Sequence, residues 1–129
     1  MADVNRGNRP LSPHLTVYKL PITAITSILT RITGHAMLAG IILLVWWLVS
    51  AAEGGVEFAR ADRVMHSWFG FIVMWASVWS LWYHFCAGIR HLIYDARLGL
   101  ELREADKLAW AIVIASGVLT LLTLILFYL

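Results

Sequence analysis

The sequence predicts an all-α membrane protein with three transmembrane helices, its amino terminus cytoplasmic and its carboxyl terminus outside. Three observations carry that prediction. Of 129 residues, 60% are hydrophobic and only 14% charged, and the mean hydropathy is +0.76, too apolar for a soluble domain of this size. The charged residues leave three uninterrupted stretches, 32–52, 64–89 and 108–129, and each has the about 20 residues that a helix needs to cross roughly 30 Å of hydrocarbon. The basic residues are unevenly shared. Arg6, Arg9, Lys19 and Arg31 precede the first span, Arg60 and Arg63 follow it, and Arg90, Arg97, Arg103 and Lys107 separate the second from the third. Three crossings place eight of these on one side against two on the other, and the positive-inside rule makes the richer side cytoplasmic. The net charge of +2 flanks the spans and forms no basic stripe, so nucleic acid is not an expected partner.

The chain reads as one domain, residues 1–129, with no internal repeat and no Gly-rich phosphate loop. Residues 1–22 form a cytoplasmic arm, because Arg9-Pro10, Ser12-Pro13 and Leu20-Pro21 disfavour a continuous helix. No secretory signal is evident in it. The first helix is expected over about residues 23–52, with Ser27, Arg31, Gly34 and His35 on one face. Arg31 sits near the cytoplasmic end, where a guanidinium either snorkels to the interface or binds an anionic group. Trp46 and Trp47 suit the aromatic belt at the outer end. Residues 53–63, with Gly54-Gly55, are expected to be a short outer loop.

The second helix is expected over about 64–94. Trp75, Trp79 and Trp82 make a stripe at helical spacing, which reads as a packing or lipid-facing surface rather than a cofactor box. His66 and His84 are eighteen residues apart, about 27 Å along a helix, so they cannot share one metal. His66 reads as an interfacial histidine. His84, Gly88, His91 and Asp95 fall at roughly 0°, 40°, 340° and 20° on a helical wheel. Ionisable residues on one narrow face of a membrane helix must look at protein, cofactor or water, and are usually functional. Residues 96–107 are expected to be a solvated inner loop, and 108–129 a packing helix without an ionisable group before Tyr128.

A neutral imidazole is a strong axial ligand for haem iron, and two of them on opposite faces of the macrocycle make an electron-transfer haem. The single cysteine, Cys86, excludes an internal disulfide and a covalent haem attachment, so any haem is held non-covalently. His84 is the better ligand candidate, and Arg31 is suitably placed for an anionic propionate. Ser27 offers a hydroxyl at the depth a quinone-like acceptor requires. The second axial ligand is either His35, at about the depth of His84, or a residue of another subunit.

Three motifs then converge: Arg9-Pro10-Leu11-Ser12-Pro13-His14-Leu15; the run from Pro21-Ile22-Thr23-Ala24-Ile25 through Ser27-Ile28 to Arg31 and Gly34; and His84-x-x-x-Gly88-Ile89-Arg90-His91-x-x-x-Asp95. Over nearly the whole chain this resembles the cytochrome b membrane-anchor subunit of succinate dehydrogenase, respiratory complex II. The resemblance implies His84 as an axial ligand of haem b, with the other ligand from a second membrane-anchor subunit, which argues against the His35 pair. It implies Ser27 and Arg31 at a ubiquinone site, Arg31 also near a haem propionate, and His91 and Asp95 on a proton path or near a propionate. An iron-sulfur subunit and a flavoprotein subunit are the implied partners, and the chain itself would not oxidise succinate. Glu101 is a further acidic candidate for proton delivery. Many members carry histidine where this chain has Thr30, leaving His14 or Arg31 alone to cover that position. A bacterial inner membrane is expected ahead of a mitochondrial one. The rival readings are a fumarate reductase anchor, a structural anchor without haem, and a small channel component, the last disfavoured because the third helix lacks polar lining.

Overall fold

The computed structural model describes Gly7, residues 10–14 and residues 16–129. Arg6, Arg9 and Leu15, read above as part of the arm's charge and opening motif, lie outside the described residues. Among the described residues the chain is helical without strands: α1 is Ile22–Glu53, α2 Gly55–Met65, α3 Trp68–Asp95 and α4 Leu102–Tyr128. Three of these, α1, α3 and α4, are long and apolar enough to cross a membrane. In the arm, a turn at Thr16-Val17 is closed by the His14 carbonyl, which accepts from the amides of Val17 and Tyr18 at 2.9 and 2.7 Å. Pro21, extended at φ −65° and ψ 158°, ends the arm, and its carbonyl takes the first helical bonds from Ala24 and Ile25.

Three boundaries differ from expectation, each for a local reason. The outer loop of 53–63 is largely helix α2. Its charges conceal an amphipathic turn pattern in which Ala61 is buried and the Phe58 ring meets Trp47 at 5.8 Å between centroids. Glu57 and Arg60 pair at 3.1 Å along its outer side. The real turn is compressed into Gly54 and Gly55, both at positive φ (71° and 57°), a conformation that glycine enters without steric cost.

The expected second helix does not run unbroken from residue 64. The chain breaks at His66-Ser67, and α3 starts at Trp68 with Ser67 as its cap, the Ser67 hydroxyl accepting from the Gly70 amide at 3.1 Å. The third span starts at Leu102 rather than 108, because Arg103, Glu104, Asp106 and Lys107 end the apolar stretch but not the helix. The inner loop therefore shrinks to residues 96–101. The amides of Arg97 and Leu98 bond back to the carbonyls of Tyr94 and Ile93, with Arg97 left-handed at φ 61°, which closes α3 by a Schellman arrangement.

The helix α3 is the centre of the bundle and packs on both α1 and α4. Tyr83, Cys86, Ala87 and Ile112 form the buried core. The tryptophan stripe is the packing surface toward α4: Trp75 lies against Phe127 and Tyr128, and Trp82 donates its indole N–H to the Thr123 hydroxyl at 2.9 Å. In lipid no water satisfies a stray polar group, and the serines and threonines answer this by bonding carbonyls one turn back, as Thr33, Ser77, Thr120 and Thr123 do.

Candidate functional site

Between α1 and α3, on the side away from the core, lies an open-sided groove of about 410 Å³ lined by Thr30, Arg31, Gly34, His35, Leu38 and His84. The α1 residues follow from three- and four-residue spacing along one face, and α3 contributes the imidazole across from them. The missing side chain of Gly34 is what lets the imidazole in: a Cβ there would stand 3.4 Å from His84 Cε1.

The His84 Nδ1 is 3.2 Å from the Thr30 carbonyl oxygen. A carbonyl only accepts, so Nδ1 carries the hydrogen and Nε2 keeps its lone pair. This is the arrangement by which metal-binding histidines are oriented, one ring nitrogen tied to a backbone carbonyl and the other left for the ligand. His35 repeats it at the neighbouring carbonyl, with Nδ1 2.8 Å from the Arg31 oxygen. Arg31 is exposed at the mouth of the groove and pairs with no carboxylate, since among the described residues the ion pairs are Arg60–Glu57 and His66–Asp62. Those two pairs leave His66 at the α2–α3 junction, exposed, where an interfacial histidine was expected.

The groove thus brings together Arg31, His84 and His35. Ser27 is half-buried one turn from Arg31 and outside the lining. His91 and Asp95 are exposed further along α3, about 10 and 16 Å from His84 at 1.5 Å per residue. The His91 ring meets Tyr94 edge-on at 6.5 Å. Glu101 is exposed at the start of α4. His14 is exposed in the arm, its Nδ1 bonded to the Ser12 carbonyl at 2.7 Å.

One cluster escaped the sequence reading, which counted Arg90 as a flanking charge. Arg90 is 4% exposed, and its Nη1 donates to the Thr26 hydroxyl at 2.7 Å. The Tyr83 hydroxyl donates to the Thr26 carbonyl at 3.0 Å. The signal was the spacing of Tyr83, Ala87, Arg90 and Tyr94, a second face of α3 adjoining that of His84.

Among the described residues no three His, Cys, Asp or Glu side chains gather to hold a bare metal ion. Two imidazoles held at α1 carbonyls and a guanidinium without a carboxylate partner among the described residues share one groove in a bundle whose three long apolar helices define a membrane-spanning subunit. Residues 5–123 match the family model described as the succinate dehydrogenase/fumarate reductase transmembrane subunit. The succinate dehydrogenase cytochrome b556 subunit of Paracoccus denitrificans is 61% identical over 128 residues, covering 99% of this chain and 98% of the Paracoccus protein. The cytochrome b556 subunit of Rickettsia felis is 35% identical, covering 90% of each chain, and the cytochrome b560 subunit of Reclinomonas americana is 33% identical, covering 93% and 87%. The chain belongs to the family of succinate dehydrogenase/fumarate reductase transmembrane subunits, and the likeness to the cytochrome b anchors of complex II extends over nearly its full length.

Proposed function

We propose that this chain is the haem b-binding anchor of a succinate:ubiquinone oxidoreductase, holding the flavoprotein and iron-sulfur subunits at the membrane and supplying part of the ubiquinone site. The observation that carries the proposal is the His84 ring, tied at Nδ1 to the Thr30 carbonyl and free at Nε2 in a groove that also holds Arg31. A haem would bring its own equatorial nitrogens, so a groove in which His84 and His35 are the metal-binding side chains, and no third gathers with them among the described residues, suits it where it would not suit a bare ion. A companion anchor subunit covering the open side of the groove would supply the remaining iron ligand. Haem b supplies a one-electron redox centre when bound.

The chain's own share is positional. His84 Nε2 would hold the iron, and Arg31 at the groove mouth would neutralise a propionate and orient the quinone carbonyl. Ser27, one turn nearer the arm, offers a hydroxyl to the same head group. Reduction of a quinone consumes two protons, and His91, Asp95 and Glu101 lie exposed toward the arm end, where they can relay protons from the cytoplasm. The distribution of basic residues supports an orientation with the arm inside, and the likeness to the Paracoccus and Rickettsia subunits supports a bacterial cytoplasmic membrane.

A reduced-minus-oxidised visible spectrum of the purified complex tests the haem: a b-type band that disappears in H84L is expected, and a spectrum without one leaves a purely structural anchor. For the quinone site, S27A and R31L should lower ubiquinone reduction by roughly tenfold or more while succinate oxidation with a soluble dye continues. Equal loss of both activities in an assembled complex would defeat the assignment.

A further inference from the structure

A guanidinium buried in a membrane helix is costly unless something offsets its charge. Arg90 lies in α3, 4% exposed, and among the described residues no carboxylate pairs with it. Its contacts are the Thr26 hydroxyl at 2.7 Å and the face of Tyr94, 5.8 Å from the ring centroid, while its Nε is enclosed without any hydrogen-bond partner. Both contacts come from this chain's own helices, Thr26 from α1 and Tyr94 from α3.

The contacts of Thr26 show where this arrangement leads. Arg90 Nη1 bonds the Thr26 hydroxyl, the Thr26 carbonyl accepts from the Thr30 hydroxyl at 2.8 Å, and the Thr30 carbonyl accepts from His84 at 3.2 Å. Tyr83 holds the same Thr26 carbonyl from the other side. Arg90 and His84 are on one helix, six residues and about 9 Å apart along its axis, on different sides of it. They are nevertheless joined through one turn of α1, and that turn carries Ser27 and ends at Arg31.

We propose that Arg90 is the positioning residue of the groove: through Thr26 it fixes the α1 turn whose Thr30 carbonyl orients His84, and its unneutralised charge favours the more electron-rich state of whatever redox group His84 holds. The inference rests on the function proposed above and separates into a grip and a charge. R90Q removes both, R90K keeps the charge and loses the planar fork, and T26V keeps the charge but removes the hydroxyl, which T26S restores.

The test uses the whole purified complex, with haem content, redox titration of the b-type band and ubiquinone kinetics measured beside dye-coupled succinate oxidation. In R90Q the ratio of reduced to oxidised haem at a fixed ambient potential should fall by roughly tenfold, the effect of losing one charge on the order of 10 Å away in a protein interior. R90K and T26V should keep that ratio near wild type. The ubiquinone KM should rise by roughly three- to tenfold in R90Q and T26V, with dye-coupled oxidation unchanged, and T26S should recover it. An unaltered haem ratio in R90Q together with an unaltered KM in T26V overturns the proposal. So does a parallel loss of assembly and of both activities in the T26V and R90K complexes, which would mean a purely structural role. Should R90Q fail to assemble, R90K, T26V and T26S decide the matter. A wild-type complex without a b-type band sinks the haem reading and leaves the ubiquinone KM of T26V to judge this one. If wild type does not reduce ubiquinone either, both fall.

Discussion

His84 owes its orientation to three α1 residues that have no titratable chemistry of their own. Gly34 makes room for the ring, the Thr30 carbonyl fixes its tautomer, and Thr33 adds a hydroxyl to the same carbonyl at 3.1 Å. Thr30, expected above as a departure from the resembled pattern, therefore has a part of its own in holding the ring. Threonine back-bonds to Thr26 and so holds the carbonyl that His84 uses. Gly34→Ala tests this at the scale of one methyl group. Its Cβ would meet His84 Cε1 at 3.4 Å, the near edge of van der Waals contact, which leaves the ring no slack on that side. A shifted or weakened b-type band is expected with helix content by circular dichroism unchanged, and an identical band would mean the ring is not held by this contact. His84 and Arg31 were legible as candidates because ionisable residues stand out against an apolar helix. Arg90 was not, since a sequence does not say whether an arginine near a helix end turns outward or inward.

At the scale of the elements, the α2–α3 junction is a joint where backbone meets backbone. The cap at Ser67 turns the chain so sharply that α3 passes the end of α2 backbone to backbone, and a Cβ on Gly70 would collide with the carbonyls of Val64 and Met65. Neither carbonyl is the tip of a flexible side chain, so neither gives way cheaply. Gly70→Ala should lower stability by about 2–3 kcal/mol, read as a drop in the melting temperature of the purified complex, whereas a change at the nearby exposed Phe69 to Leu should leave it nearly unmoved. The helix α2 itself was hidden by its composition. Charges every few residues read as a loop when a membrane span is sought, although Phe58, Ala61 and Met65 recur at the spacing of a helix face. The same substitution of charge for structure displaced the start of α4 by six residues, from 108 to 102.

For the molecule as a whole, the division of labour between the two sides of α3 is the central feature. Toward α4 it packs the tryptophan stripe. Toward α1 it buries Tyr83 and Arg90 on Thr26 and beside them leaves two grooves, the His84 groove near the arm end and an apolar one of about 310 Å³ nearer α2, where Gly40 and Ser77 come into contact. Orientation of this bundle in the bilayer is testable because the one native cysteine, Cys86, is buried. A cysteine placed at Lys107 should react with an impermeant thiol reagent only from the cytoplasmic face, and one placed at Arg60 only from the opposite face. The reverse pattern would refute the reading of the basic residues.

The number of spans, their approximate positions and the likeness to cytochrome b anchors were all determined by the amino-acid sequence, because hydrocarbon thickness and the cost of buried charge act on single segments irrespective of their neighbours. Which imidazole nitrogen is left free, that Arg90 turns inward onto Thr26, and that the tryptophans serve α4 were decided only by tertiary structure. Each depends on a partner 40 or more residues away, as the pairs His84–Thr30, Arg90–Thr26 and Trp82–Thr123 show, and periodicity along one helix carries no information about which carbonyl the next helix will present.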